Sequence, residues 1–314
     1  MPIRSRRRMF WRWRVNDFPL VFRGQDRILA MTTSGTAFRK GHGTGNDFIL
    51  VSGLDGLEVS PKQAISLCDR HLGIGANGIL RVARASEFAI EFDVGAANYF
   101  MDYTNADGSK SATCGNGLRV FARYLVEAGL EERGRFQIGT RAGAVAVAIS
   151  QTDSDFNDIA IAMGSLSLGP MDVTVSTESG SWPAVCLAGM NNHAVSVVSD
   201  IADAGSLTQI PTALPDETYP DGVNFEFISQ VSPTHISMRT HERGVGETLS
   251  CGSGACAAAY VHATSNNLSA RWTVQVDVLG GTVFVDSAID GTLTLRGPAQ
   301  FVASGTIESH LWQN

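Results

Sequence analysis

Nowhere in the 314 residues do about 20 apolar residues run together, the length a helix needs to cross a bilayer, so a protein free in solution is expected. No Cys-x-x-Cys pair occurs. The five cysteines (Cys68, Cys114, Cys186, Cys251 and Cys256) are odd in number and match no zinc or disulfide spacing, which argues against a bound metal and for free thiols in a reducing cytoplasm. There is also no glycine-rich phosphate loop and no cofactor motif, so no cofactor is expected. At the N-terminus eight arginines within residues 1–30 face only Asp17 and Asp26, which leaves about −13 on the remainder of a chain whose formal charge is −7. That stretch lacks the continuous apolar segment of a secretion signal. It is read as a disordered extension covering residues 1–34, and an acidic body gives it no reason to hold nucleic acid or an anionic membrane.

What the chain does have is a repeat. TCGNGLRVFA at 113–122 returns as SCGSGACAAA at 250–259, each a hydroxyl residue, then Cys-Gly-polar-Gly, then a helix-forming apolar run. GTGNDFILV at 43–51 and GMNNHAVSV at 189–197 form a weaker second pair, each placing asparagine before a β-branched strand. Short alternating segments at 79–83, 145–149, 193–198, 224–228, 235–240 and 273–278 read as strands. Helices are expected only at 61–71, 117–129 and 254–266, with an extended connection over 202–223. The class is α+β, with a first lobe over 35–155, a second over 156–299, and a return of about 300–314 to the first considered.

A cysteine immediately before a helix faces unpaired backbone N–H groups and the positive end of the helix dipole. Such a position is expected to bring its thiol down toward neutrality, where one group can take and give a proton. The glycines that follow, Gly115 and Gly117 in one copy and Gly252 and Gly254 in the other, let those N–H groups approach a carboxylate. Two copies of the device converging on one ligand would put one thiol on each face of a carbon, the arrangement that inversion of a stereocentre requires. Single cysteines are ordinarily small buried hydrophobes, and Cys68, Cys186 and Cys256 are read that way.

With these motifs the sequence resembles the diaminopimelate epimerase family from about Gly41 onward. The resemblance is carried by GTGNDF (43–48), DRHLGIGANGIL (69–80), YTNADGSKSATCGNGLRVFARY (103–124), NNH (191–193), YPDGVNFEF (219–227) and HERGVGETLSCGSGACAAA (241–259). It implies two pseudo-symmetric lobes, each a β-barrel-like sheet around a central helix, with the site in the cleft between them. It implies Cys114 and Cys251 as the acid and base pair, Cys114 the donor and Cys251 the acceptor in the LL-to-meso direction. His193 and Glu242 match positions that tune the thiols. Asn46, Asn105, Asn191, Asn224, Glu242 and Arg243 match substrate contacts, with Arg243 suited to the distal carboxylate. Backbone N–H groups of Gly115, Asn116, Gly252 and Ser253 would hold the reacting carboxylate. The implied reaction is cofactor-independent epimerisation of LL-2,6-diaminopimelate to the meso form in lysine and peptidoglycan precursor synthesis. The implied partner is this small molecule, with a homodimer as the open oligomeric question. Two departures stand out: Asn77-Gly78, where many members carry Asp-Gln, and Asn192, where they carry proline. Two other readings stay open, a proline-racemase type enzyme and a non-catalytic ligand-binding protein on the same fold.

Overall fold

The computed structural model describes residues 35–215, 218–220 and 222–312; the N-terminal extension expected over 1–34 lies outside the described residues. In the first half, β1 (Gly35–Gly43), β2 (Asn46–Ser52), α1 (Pro61–Cys68), β3 (Gly78–Arg84), β4 (Tyr99–Asn105), α2 (Gly115–Glu127), β5 (Gly134–Thr140), β6 (Gly143–Ile149) and β7 (Ile159–Gly164) follow in order. The second half holds β8 (Ser167–Leu168), β9 (Val173–Thr177), β10 (Gly180–Ala188), β11 (Asn192–Val197), β12 (Thr212–Leu214), β13 (Asn224–Ser232) and β14 (His235–Glu242). It continues with β15 (Gly246–Thr248), α3 (Gly252–Ser265), β16 (Trp272–Val278), β17 (Gly281–Ser287), β18 (Leu293–Gly297), β19 (Gln300–Glu308) and α4 (Ser309–Trp312).

The sequence repeat is a repeat of topology. In the first half β2 runs parallel to β3, β3 antiparallel to β4, β4 parallel to β5, and β5, β6 and β7 follow as antiparallel neighbours. In the second half β11 runs parallel to β13, β13 antiparallel to β14, β14 parallel to β16, and β16, β17 and β18 complete the series. Each crossover from the third to the fourth strand of its series contains one long helix, α2 or α3. The halves join where β7 pairs with β18 and where β19 pairs with β1. Within the region 202–223, read from sequence as an extended connection, β12 pairs with β9.

Each central helix is made to be enclosed. On α2, Leu118, Val120, Phe121, Ala122 and Leu125 are wholly buried, and each large apolar side chain removed from water stabilises the fold by about 1.5–3 kcal/mol. The helix stops where Gly129 turns to φ +68°, a conformation that favours glycine after a helix C-terminus. In α3, Ala255, Ala257, Ala258 and Ala259 are all wholly buried, so strands close on every side of a thin helix. Both helices begin two residues earlier than their apolar runs indicate, because Cys114 and Cys251 are themselves the N-caps.

Candidate active site

Cys114 and Cys251 occupy the same place in the two copies. Each has extended backbone, and each sulfur accepts an N–H from the residue three ahead, Gly117 to Cys114 and Gly254 to Cys251, both at 3.4 Å. All five cysteines are free. The two helix starts meet: a Cβ built on Gly252 would lie 3.6 Å from Cα of Gly115 and 3.5 Å from Oδ1 of Asn116. The Asn116 side chain ties them together, its Nδ2 donating to the carbonyl of Ser250 at 2.9 Å and to Oδ1 of Asn46 at 3.3 Å. Beneath both starts lies one side chain, Leu295, whose Cδ2 would touch a Cβ on either Gly115 or Gly252. Glycine at these positions is what allows the approach.

Of the residues matched from sequence, Asn46, Asn116, Ser253 and Asn191 connect directly to this junction, while Asn105 and Arg243 are placed by other local contacts. Asn46 faces Cys114, its Oδ1 3.7 Å from the sulfur. Ser253 faces Cys251 at 3.6 Å and accepts a hydrogen bond from Asn191 at 3.2 Å. Glu242, at the end of β14, accepts from Thr248, and its negative charge disfavours the thiolate at both Cys114 and Cys251. Asn224 accepts the backbone N–H of Arg243 at 2.9 Å, which orders the chain where that arginine leaves β14. Gly222, at φ +80°, leaves room for the Arg243 stem, whose Cδ would lie 2.7 Å from a Cβ there. Asn105 ends β4 and donates to Ser109 at 3.0 Å. His193 is wholly buried and pairs through Nδ1 with Glu226 at 2.8 Å.

The two departures have local accounts. Asn77 accepts from the N–H of Asp47 at 3.0 Å while its own N–H donates back to Asp47, which locks the start of β2. Gly78 is required by space, since a Cβ there would lie 2.4 Å from the Tyr103 ring. Asn192 opens β11 beside Ala188 of β10, with its side chain exposed.

One expectation is overturned. The dipole argument places helix-start cysteines near neutrality, but burial pushes the Cys114 thiol up to about 11, outweighing the N–H of Gly117, and Glu242 pushes it further up. Burial also raises Cys251 well above the usual thiol range, with the carboxylates of Glu242 and Glu226 adding to it. Glu242 is itself raised, first by burial and then by Glu226, against the lowering effect of the Thr248 hydroxyl. Loss of water therefore outweighs the helix dipole at both cysteines.

Buried polar atoms of this region without a hydrogen-bond partner among the described residues include Oδ1 of Asn116, Nε2 of His193 and Oε2 of Glu226. Sequence reading missed Glu226, although a single acidic residue inside the apolar strand NFEFI was a visible signal. It also missed Arg119, a wholly buried cation on the core side of α2.

Comparison with known proteins agrees with this arrangement. The family model described as diaminopimelate epimerase matches residues 38–168 and 187–302. A diaminopimelate epimerase of Streptomyces coelicolor is 42% identical over 280 residues, covering 87% of this chain and 96% of the relative. One of Rhodococcus erythropolis is 40% identical over 293 residues, covering 88% and 98%. Among solved structures, a Bacillus anthracis phenazine biosynthesis protein of the PhzF family is similar in fold at a TM-score of 0.64 and 17% identity, covering 88% of this chain and 99% of that one. A hydroxyproline epimerase from Agrobacterium vitis, with trans-4-hydroxy-L-proline bound, superposes at a TM-score of 0.61 and 15% identity, covering 87% and 90%. The repeated cysteine-capped helices thus sit in a two-lobed fold shared more widely, and the chain belongs to the diaminopimelate epimerase family.

Proposed function

We propose that this chain inverts one α-carbon of LL-2,6-diaminopimelate to give the meso isomer, using Cys114 and Cys251 as the two acid–base groups and no cofactor. The observation that carries the reading is the junction of the two helix starts, where the Asn116 side chain bridges to the carbonyl before Cys251. A carboxylate placed there would meet backbone N–H groups of Gly115, Asn116, Gly252 and Ser253, which have no intrahelical acceptor. Its α-carbon would then lie between the two sulfurs.

The chemistry balances without an outside reagent. The thiolate on one side removes the α-hydrogen as a proton and becomes a thiol, while the electron pair of the broken C–H bond spreads into the carboxylate. The N–H groups of both helix starts stabilise that developing charge. The opposite thiol then delivers its proton to the other face and becomes the thiolate. In the LL-to-meso direction Cys251 accepts and Cys114 donates. Both thiols are raised by burial, so the positive charge of the substrate's α-ammonium beside the pair would favour the one thiolate the reaction needs. His193 and Glu242 tune the sulfurs in this reading, and Asn46, Asn191 and Asn224 position the substrate.

The distal end supplies selection, because a carboxylate, an amine and a hydrogen at the reacting carbon are common to every amino acid. Arg243, ordered by Asn224, is the group for the far carboxylate, with Asn105 a further substrate contact in this reading. Among the described residues no helix is long and apolar enough to cross a membrane. Free thiols at all five cysteines support a cytoplasmic setting.

The test is incubation of the full chain with LL-diaminopimelate, with meso product read by chiral separation and lysine as the control lacking the distal carboxylate. Formation of the meso isomer with little exchange of the lysine α-hydrogen is expected. Equal action on both would replace this reading with a broader amino-acid racemase.

A further inference from the structure

The two halves of the junction are alike in backbone and unlike in charge. In the first half, the space behind the third residue after the cysteine is apolar: a Cβ on Gly117 would meet Leu80 and Phe48, each at 3.5 Å. The strand registers place Phe48 opposite Gly78 and Leu50 opposite Leu80, as they place His193 opposite Asn224 and Val195 opposite Glu226. His193 and Glu226 thus stand where Phe48 and Leu80 stand in the other half. A buried, hydrogen-bonded pair at 2.8 Å replaces two hydrocarbons. Glu226 lies hard against the first turn of α3, since a Cβ on Gly254 would come within 2.6 Å of its Oε1 and 3.2 Å of the Cys251 sulfur.

The opposite substitution occurs one turn further on. Five residues after Cys114 comes Arg119, and five after Cys251 comes Cys256. Arg119 is wholly buried and pairs with no carboxylate among the described residues. Its Nε donates to the carbonyl of Pro298 at 3.1 Å and its Nη2 to Thr44 at 3.1 Å, while Nη1 has no partner among the described residues. Thr44 passes the contact on to the hydroxyl of Ser250 at 2.7 Å. An isolated buried cation is costly unless a negative charge forms near it, and the thiolate of Cys114 is one whose charge it favours.

We propose that Arg119 and Glu226 are positioning residues that polarise the cysteine pair, so that the first thiolate to form in the ligand-free protein is on Cys114 while Cys251 stays a thiol. This rests on the two-thiol reading above. The groups acting on Cys114 are Arg119 of its own helix, Tyr103 of β4, Asn46 of β2 and Glu242 of β14. Those acting on Cys251 are Ser253, Glu226 of β13, Glu242, and His193 of β11 through Glu226. Glu242 is common to both, so the difference comes from Arg119 on one side and Glu226 on the other. Its consequence is directional: the resting form takes the isomer that presents its α-hydrogen to Cys114, and the other isomer requires the proton to move from Cys251 to Cys114 first.

The experiment is brief iodoacetamide labelling of the full chain across a pH series, with peptide mass spectrometry giving separate midpoints for Cys114 and Cys251. In the natural sequence the Cys114 midpoint should lie lower by about one pH unit or more, a tenfold difference in thiolate fraction. Glu226→Gln, which keeps the side-chain shape, should lower the Cys251 midpoint by about one unit and leave Cys114 nearly in place. Arg119→Met should raise the Cys114 midpoint, and Arg119→Lys should restore it. Should the methionine variant fail to fold, the natural chain and Glu226→Gln still decide. A Cys251 midpoint at or below that of Cys114, or one unmoved by Glu226→Gln, overturns the polarisation. Epimerisation of LL-diaminopimelate on the same samples separates the two claims: activity with equal midpoints sinks only the polarisation, and an inactive natural chain sinks the two-thiol reading.

Discussion

Gly117 and Gly254 are the same residue at the same step of the same motif, and replacing each by alanine should have different consequences. Alanine in place of glycine inside a helix gains up to about 1 kcal/mol at either position through backbone propensity, so that contribution cancels in the comparison. At Gly117 the new Cβ would find its nearest neighbours at 3.5 Å, ordinary contact distance. At Gly254 it would land 2.6 Å from Oε1 of Glu226. A terminal oxygen could normally swing away, but this one is wholly buried and held by His193 at 2.8 Å. Relief requires breaking that pair or shifting α3. Overpacking of this kind costs about 1–3 kcal/mol, so Gly117→Ala should be neutral or slightly stabilising while Gly254→Ala falls below it by about 1–3 kcal/mol. Thermal unfolding reads this directly, at about 2–4 °C per kcal/mol for chains of roughly this size. The kcat/KM of Gly254→Ala should fall more than that of Gly117→Ala, since the added Cβ itself would lie 3.2 Å from the Cys251 sulfur. Equal melting temperatures for the two variants would refute the claim that Glu226 fills this space.

Arg243→Met should lower kcat/KM for LL-diaminopimelate by about tenfold to a few hundredfold, since hydrogen bonds to charged groups are worth about 1.5–3 kcal/mol; a smaller loss would remove Arg243 from the distal grip. Because burial raises both thiols, kcat/KM should climb as pH rises from about 7 to about 9, and a profile already falling over that range would show that the thiolate forms earlier than the site allows. In the first lobe, Asp102 is buried, yet Arg81, Lys110 and Arg141 hold its carboxyl down to about 2 from 3.8. A folded value below the unfolded one stabilises above about pH 4 and is lost as pH falls toward 2, so roughly 2–3 kcal/mol should disappear over that window in acid unfolding, and Asp102→Asn should abolish this pH dependence.

How much of this was readable before the structure depends on the kind of signal. Local chemistry was legible: Cys-Gly-polar-Gly marks a helix start, and its recurrence identified Cys114 and Cys251 together. The six segments read as strands all fall on strands, with only Val198 running past the end of β11, because their alternation is set by neighbours in sequence. Pairing across distance was not legible, and β12 reads as connection because its partner β9 lies far back in the chain. Burial was equally hidden. The helix dipole at Cys114 can be inferred from sequence, whereas the loss of water that outweighs it depends on what packs round the sulfur from distant parts of the chain. Glu226 and Arg119 belong with these: each is one charged residue in an apolar stretch, and only the register that sets Glu226 where the other half has Leu80 gives it meaning.

The two-base claim is tested most directly by following LL-diaminopimelate in deuterated water to low conversion with the full chain, and measuring deuterium in both the residual substrate and the meso product. Two thiols acting from opposite faces predict meso product carrying one deuterium at the inverted carbon, residual LL substrate essentially without label, and no product from Cys114→Ala or Cys251→Ala. Equal early labelling of both isomers, or product formed by either single variant at most of the natural rate, would contradict it.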